Sequence, residues 1–154
     1  VTTWAEFTAA APDLAEAGRG LFYREGHGQA LLATVRGGDL PRIHPISLGI
    51  ADGRLYAFIL KSAKRTDLEQ DGRFALHTLQ DPAAPSEFAI RGRATSVRDE
   101  DVRAKVAGDW SFQVDETYEL FEFSVEAALL GLRDGADEWP PRYTSWSASE
   151  GGIR

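Results

Sequence analysis

Asp52-Gly53 is the feature that most limits what this chain can become. It sits between two β-rich runs, Arg42 to Ile50 and Leu55 to Leu60. An Asp-Gly pair readily takes the left-handed backbone of a two-residue hairpin loop. The two runs are therefore expected to pair antiparallel, in a register set by that loop. The register places Arg42 opposite Ala63 and His44 opposite Lys61. Pro45 has no N–H to give to a ladder, so it belongs at a bulge or on an edge.

Further strands read as Ala30 to Arg36, Phe74 to Leu79, Glu87 to Val97 and Tyr118 to Val125, with Leu129 to Leu132 a continuation. Gly92, inside the long run, marks a bulge or a close backbone approach. Thr2 or Thr3 can cap a turn through Glu6, and Pro12-Asp13-Leu14 starts a second helix, with Leu14, Ala17, Leu21 and Phe22 at helical spacing. Ser62 to Asp71 reads as a short helix capped by Ser62, and Asp99 to Asp109 as another capped by Asp99. The segment 139–154, opening on Trp139-Pro140-Pro141, reads as irregular. Short turns between most strands favour antiparallel pairing. The expected fold is mainly β with flanking helices (α+β), an antiparallel closed or split β-barrel. It is one domain over 1–154, with a helical N-terminal segment at 1–27.

A length of 154 residues suits such a domain and gives it enough core to fold without staples. There are no cysteines, which excludes disulfides, thiol catalysis and iron–sulfur clusters. The formal charge of −7 disfavours binding to nucleic acid or an anionic membrane. No apolar run approaches the length that spans a bilayer, about 18–20 residues. Val1–Glu6 lacks the cationic-then-apolar pattern of a leader, so the expected address is cytoplasmic.

One local cluster runs against the acidic balance. Lys61, Lys64 and Arg65 flank Ser62 where a strand becomes a helix. Free N–H groups at a helix start add to such cations, and the combination suits a phosphate. The hairpin register brings Arg42 to the same place. The competing reading pairs these cations with Asp67, Glu69 and Asp71 along an exposed helix. The histidines, His27, His44 and His77, show no metal-ligand spacing and read as hydrogen-bonded sheet residues. No serine sits in a nucleophile elbow, and Gly18-Arg19-Gly20 lies within a helix rather than after a strand. The tryptophans read as packing anchors or as surfaces for stacking on a planar ring.

The order of Leu31-Leu32-Ala33-Thr34-Val35, Pro41-Arg42-Ile43-His44-Pro45-Ile46, Asp52-Gly53-Arg54-Leu55-Tyr56 and Ser62-Ala63-Lys64-Arg65-Thr66-Asp67-Leu68 resembles the pyridoxamine 5′-phosphate oxidase-like, flavin-binding split-barrel family. Glu87-Phe88-Ala89-Ile90-Arg91-Gly92-Arg93-Ala94 resembles that family's later strand. The resemblance implies FMN at the interface of a homodimer and a small-molecule substrate. It implies that Arg42, Ile43, His44 and Pro45 line the flavin, and that Phe58 and Ile59 form a second contact strand. Lys64 and Arg65, with Lys61 and Ser62 beside them, would hold the phosphate. Glu87 stands near the place of an amide that the family offers to the flavin. Apart from the resemblance, Trp146, an aromatic near Tyr143 in a segment without helical or strand period, is expected to cover the cofactor ring or the substrate space, from its own or the partner subunit. No metal is implied. The tail Arg142-Tyr143-Thr144-Ser145-Trp146 departs from the substrate-holding motif of the oxidase itself, so the expected function is an FMN-dependent oxidoreductase of another substrate. The alternatives are a deazaflavin-dependent reductase of the same fold and a non-catalytic flavin- or heme-binding protein.

Overall fold

The computed structural model describes residues 1–149, 152 and 153. Helix α1 (Trp4–Ala10) opens with a capping box: Thr3 Oγ1 accepts from the Glu6 N–H at 3.2 Å, and the Thr3 N–H donates to the Glu6 carboxylate at 2.7 Å. Helix α2 (Pro12–Phe22) starts on a proline, whose missing N–H costs nothing in the first turn. A tight hairpin of β1 (Tyr23–Arg24) and β2 (His27–Thr34) follows, and then β3 (Arg42–Ala51) and β4 (Arg54–Leu60). Between these last two, Asp52 and Gly53 have φ of 48° and 71°, and Ala51 pairs with Arg54. Next come α3 (Ala63–Gln70), β5 (Arg73–His77), β6 (Glu87–Ser96) and α4 (Glu100–Gly108). The chain finishes with β7 (Tyr118–Phe123), β8 (Ala127–Leu132), β9 (Arg142–Ser147) and β10 (Gly152–Ile153).

Every strand pairing is antiparallel. Strands β2, β3, β4, β7, β6 and β5 run in that order, and β5 returns to β2, closing a barrel. The barrel is split because two strands change neighbours. In β6, residues 87–91 pair with β8 and residues 89–93 with β5, whereas Ala94–Ser96 pair with β7. The switch falls at Gly92, where a Cβ would lie 2.0 Å from the Ser124 carbonyl oxygen. Ser124 Oγ accepts from the Arg93 N–H at 3.1 Å and fills the gap in the ladder. The sequence offered a bulge or a close approach at Gly92, and the close approach is what forms. In β3, residues 49–51 pair with β4 and residues 42–48 with β2.

That second switch corrects the expected hairpin. The register at the loop holds for three rungs, but β3 leaves β4 at Gly49, where a Cβ would meet the Trp110 ring at 2.7 Å. Arg42 is therefore opposite Thr34 of β2 rather than Ala63, and His44 is opposite Leu32 rather than Lys61. Pro45 faces Leu31 of β2 and has no strand on its other side, which is the edge position its missing N–H requires.

The tail also differs from expectation. Arg142–Ser147 is a full strand, β9, on the outer edge of β8. Serines and threonines on this strand blur the apolar alternation that marks other strands. Trp146 points inward and packs on Phe7, with ring centroids 5.0 Å apart. Glu150, Gly151 and Arg154 lie outside the described residues.

The main core fills the barrel and the space beneath α1 and α2, with Phe7, Phe22, Leu32, Leu76, Phe88, Ile90, Phe121 and Phe123 buried. Gly18 is the contact point of α2: a Cβ there would lie 2.4 Å from the Phe88 ring. Edge-to-face aromatic pairs such as Phe22–Phe88, at 5.3 Å, each add about 0.5–1.5 kcal/mol beyond their buried area. A second cluster, Tyr56, Phe58, Val106 and Leu120, seats α4 on the outside of β4 and β7.

Candidate functional site

Alternation along the strands produces the most conspicuous surface. On β2, β5, β6 and β8 one set of side chains enters the core, and the other faces out. The outward set includes Ala33, Ala75, Ala89 and Ala127, with Ser145 and Ser147 on β9, among the larger Leu31, His77, Arg91 and Leu129. Small residues across five strands leave a trough of about 740 Å³, edged by Leu31, Ile43 and Leu129. A second cleft of about 540 Å³ adjoins it, and Ala33, Ala75, Arg91, Ala127 and Ser147 line both. Ile43 and Leu129 are 67% and 38% exposed, so this is an apolar face left open by the single chain.

One end of the trough carries a polar chain. His77 Nδ1 is 2.7 Å from the Thr78 carbonyl oxygen, and Nε2 is 3.2 Å from Glu87 Oε2. Both partners are acceptors, so a neutral ring satisfies one of them and a doubly protonated ring satisfies both. Tyr143 lies beyond Glu87, and Gly131 between them makes the approach possible. A Cβ on Gly131 would be 2.9 Å from the Tyr143 ring and 3.1 Å from Glu87 Cγ. Partial burial, followed by the charge of Glu87, pushes the Tyr143 phenol above the ordinary tyrosine range.

A second polar centre lies where α3 meets β2. Asp67 on α3 is 1% exposed. Its Oδ2 accepts from Thr34 Oγ1 at 2.8 Å and from Arg42 Nε at 3.0 Å. Arg36 Nε lies 3.4 Å from Oδ1. Arg42 thus reaches α3, but through Asp67 rather than along a hairpin ladder. It precedes Ile43, which edges the trough.

The remaining sequence-derived candidates fall into two groups. Lys61 is exposed and Lys64 half-buried, and neither has an ion-pair partner among the described residues. Ser62 caps α3: its hydroxyl accepts from the Arg65 N–H at 3.3 Å and donates to the Leu60 carbonyl at 2.9 Å. Arg65 is turned elsewhere. It bonds Glu69 at 3.0 Å and the Thr117 carbonyl at 3.1 Å, and it pairs with Glu119 at 3.2 Å. The acid pairings weighed from the sequence are therefore divided: Glu69 takes Arg65, Asp71 takes Arg73, and Asp67 takes Arg36 and Arg42.

Phe58 and Ile59 have their side chains in the two cores, because β4 is covered on both faces. What they can offer a ligand is main chain, since β4 beyond Tyr56 no longer has β3 as a neighbour. His44 is half-buried and Pro45 exposed on the edge of β3. Trp146 lines the trough from below, as part of the core, rather than covering it from a loose tail. Sequence reasoning missed the alanine floor and Arg91. Each of the four strands contributes one outward alanine among larger outward residues, and a lone alanine reads as neutral in a strand pattern.

The family model described as pyridoxamine 5′-phosphate oxidase matches residues 22–130, about seven-tenths of the chain. The chain belongs to the pyridoxamine 5′-phosphate oxidase family. Solved structures share this family's split barrel at low identity. General Stress Protein 26 from Bacillus anthracis is 19% identical, with a TM-score of 0.59 over 83% of this chain and 95% of that one. A protein from Mesorhizobium loti described as FAD-binding is 17% identical, with a TM-score of 0.54 over 77% of this chain and 91% of that one. A heme-binding protein from Mycobacterium smegmatis is 14% identical, with a TM-score of 0.60 over 86% of this chain and 58% of that one. No curated protein matches the chain in sequence. Among the described residues, no helix is long and apolar enough to cross a membrane.

Proposed function

We propose that this family member binds FMN between the subunits of a homodimer and uses it to oxidise or reduce a small molecule. The observation that carries the reading is the alanine-floored trough on the open sheet face, whose β3 edge at Ile43 adjoins Arg42, which in turn bonds Asp67 of α3. A flat apolar floor suits a planar ring, and a second copy laid over the same face would bury the exposed Ile43 and Leu129. The residues present fit the phosphate of such a group. Lys61 and Lys64 are uncommitted among the described residues, the terminal nitrogens of Arg42 remain beyond its Nε contact, and the start of α3 adds N–H groups ahead of the Arg65 N–H that Ser62 takes. Arg65 is the member of the original cluster that fits least, because two carboxylates already hold it.

Bound flavin would supply the electron chemistry. The chain's own contributions are separate from it. Lys61, Lys64 and Arg42 bind and orient the phosphate. The alanines exclude water from one face of the ring. His77 holds a proton at the end of the trough, fixed in place by Thr78 and Glu87.

Titration of the purified chain with FMN and with riboflavin tests the reading. Charge-assisted bonds contribute about 1.5–3 kcal/mol each, so two of them should favour FMN by at least about a hundredfold. In the Lys61→Ala/Lys64→Ala double variant FMN affinity should fall towards that of riboflavin. Equal binding of both ligands by the wild-type chain, or an unchanged preference in the double variant, refutes the phosphate assignment. A protein purified with a deazaflavin band or a Soret band would replace FMN with those cofactors. Sedimentation at the 16.9 kDa of one chain, with FMN bound, would refute the dimer.

A further inference from the structure

We infer that the trough is built for a flat substrate carrying a single negative charge, with Arg91 as the group that binds its carboxylate. This deepens the flavin reading by naming the substrate class, and it rests on that reading for the chemistry though not for the binding.

Arg91 lies on β6 with Ala75 of β5 on one side and Ala127 of β8 on the other. Its neighbour along the same face is Ala89. The guanidinium therefore rises from a floor of methyl groups, at the junction of the two clefts. The other charged groups nearby are already matched. Arg73 bonds Asp71 at 2.6 Å, Arg93 faces Glu126 at 3.9 Å, and His77 faces Glu87 at 3.2 Å. Among the described residues Arg91 has no carboxylate within ion-pair distance and no side-chain hydrogen bond. It is thus the uncompensated charge of the trough, with a planar fork of donors that fits a carboxylate at two points.

The register adds a second group. His77 is paired with Ala89, two residues before Arg91, so His77 and Arg91 are diagonal neighbours on one face. Such neighbours stand roughly 7–8 Å apart at the backbone, within reach of two long side chains. A ligand whose carboxylate sits on Arg91 would therefore lie over the flavin ring that the alanines floor, with its far side near His77. Ser145 and Ser147 on β9 offer hydroxyls along the opposite wall.

Calorimetric titration of the 154-residue chain with benzoate and with benzyl alcohol, in the presence and absence of FMN, tests the assignment. Benzoate should bind about tenfold or more tightly than the uncharged analogue, and Arg91→Gln should remove most of that difference while leaving benzyl alcohol unaffected. Equal binding of the two probes by the wild-type chain overturns the inference, as does an Arg91→Gln variant that keeps its preference. Should the Gln variant lose its fold by circular dichroism, Arg91→Lys decides instead. A fall of about threefold or more in benzoate affinity supports the fork, and an unchanged affinity overturns it. A chain that prefers benzoate without binding any flavin keeps the anion site and loses the flavin reading.

Discussion

Replacement of Asp67 by alanine should cost about 3 kcal/mol of folding stability. The carboxylate is 1% exposed and accepts from the Thr34 hydroxyl, itself 1% exposed, at 2.8 Å. Removing the acceptor strands that hydroxyl, at about 1–3 kcal/mol. Arg36 and Arg42 lose their counter-ion as well, but their side chains are 36% and 35% exposed and can turn to water. Each of those pairs is therefore closer to the 1 kcal/mol or so of a surface bridge than to the 3–5 kcal/mol of a broken buried one. A small credit offsets these losses, because Oδ1 is buried without a hydrogen bond in the native protein. For a chain of this size the sum corresponds to a fall in Tm of about 6–12 °C. Asp67→Asn keeps an acceptor for Thr34 and loses the charge, so it should cost about half as much. Urea denaturation of the three proteins, with the slope unchanged, measures both differences. An alanine variant within about 1 kcal/mol of the wild type would refute the claim that Asp67 is the hub of this corner. An asparagine variant as damaging as alanine would show that the charge, rather than the Thr34 bond, carries the stability.

Gly92→Ala should destabilise by about 3 kcal/mol or more, since its methyl group would meet a main-chain oxygen that has no room to yield, and a wild-type melting temperature would contradict this. Trp146→Ala should cost about 3–5 kcal/mol as a core cavity, whereas a near-neutral result would return Trp146 to a surface role. The carboxyls of Glu6, Asp71, Asp115 and Glu119 are held below their usual range, chiefly by the Thr3 amide, by Arg73, by Thr117 and by Ser96 with its cationic neighbours. With folded-state values depressed, the unfolded chain takes up protons first as the solution is acidified. Their stabilisation is therefore present above about pH 4 and is lost on acidification below it, which urea melts at pH 6, 4 and 3 should register as a falling midpoint.

The sequence made the local devices readable and left the long-range ones hidden. Thr3 with Glu6, Pro12, Asp52-Gly53, Ser62 and Asp99 each act within a few residues, and each does what its chemistry requires. The departure of β3 from β4 depends on Trp110 lying over Gly49, a contact between residues far apart in the chain. The same holds for the candidate site. Arg42 does meet α3, but its partner Asp67 had looked like one more exposed helix acid, because its burial comes from Thr34 on a different strand. Strand β9 was missed because its inward face shows a single large apolar residue, Trp146, between hydroxyl side chains. The trough itself is an emergent surface. Four alanines on four strands carry no message separately.

The annexe of β8 and β9 hangs from the barrel through the first half of β6 and is braced from behind by Trp146 against Phe7. Barrel closure runs instead through β5, β2 and the second half of β6. One wall of the trough can therefore be exchanged like a jaw in a vice while the frame stays clamped. Residues 127, 129, 145 and 147 are accordingly the positions at which a designer could retool what the trough grips, with Gly92, Ser124 and the brace at Trp146 left as they are.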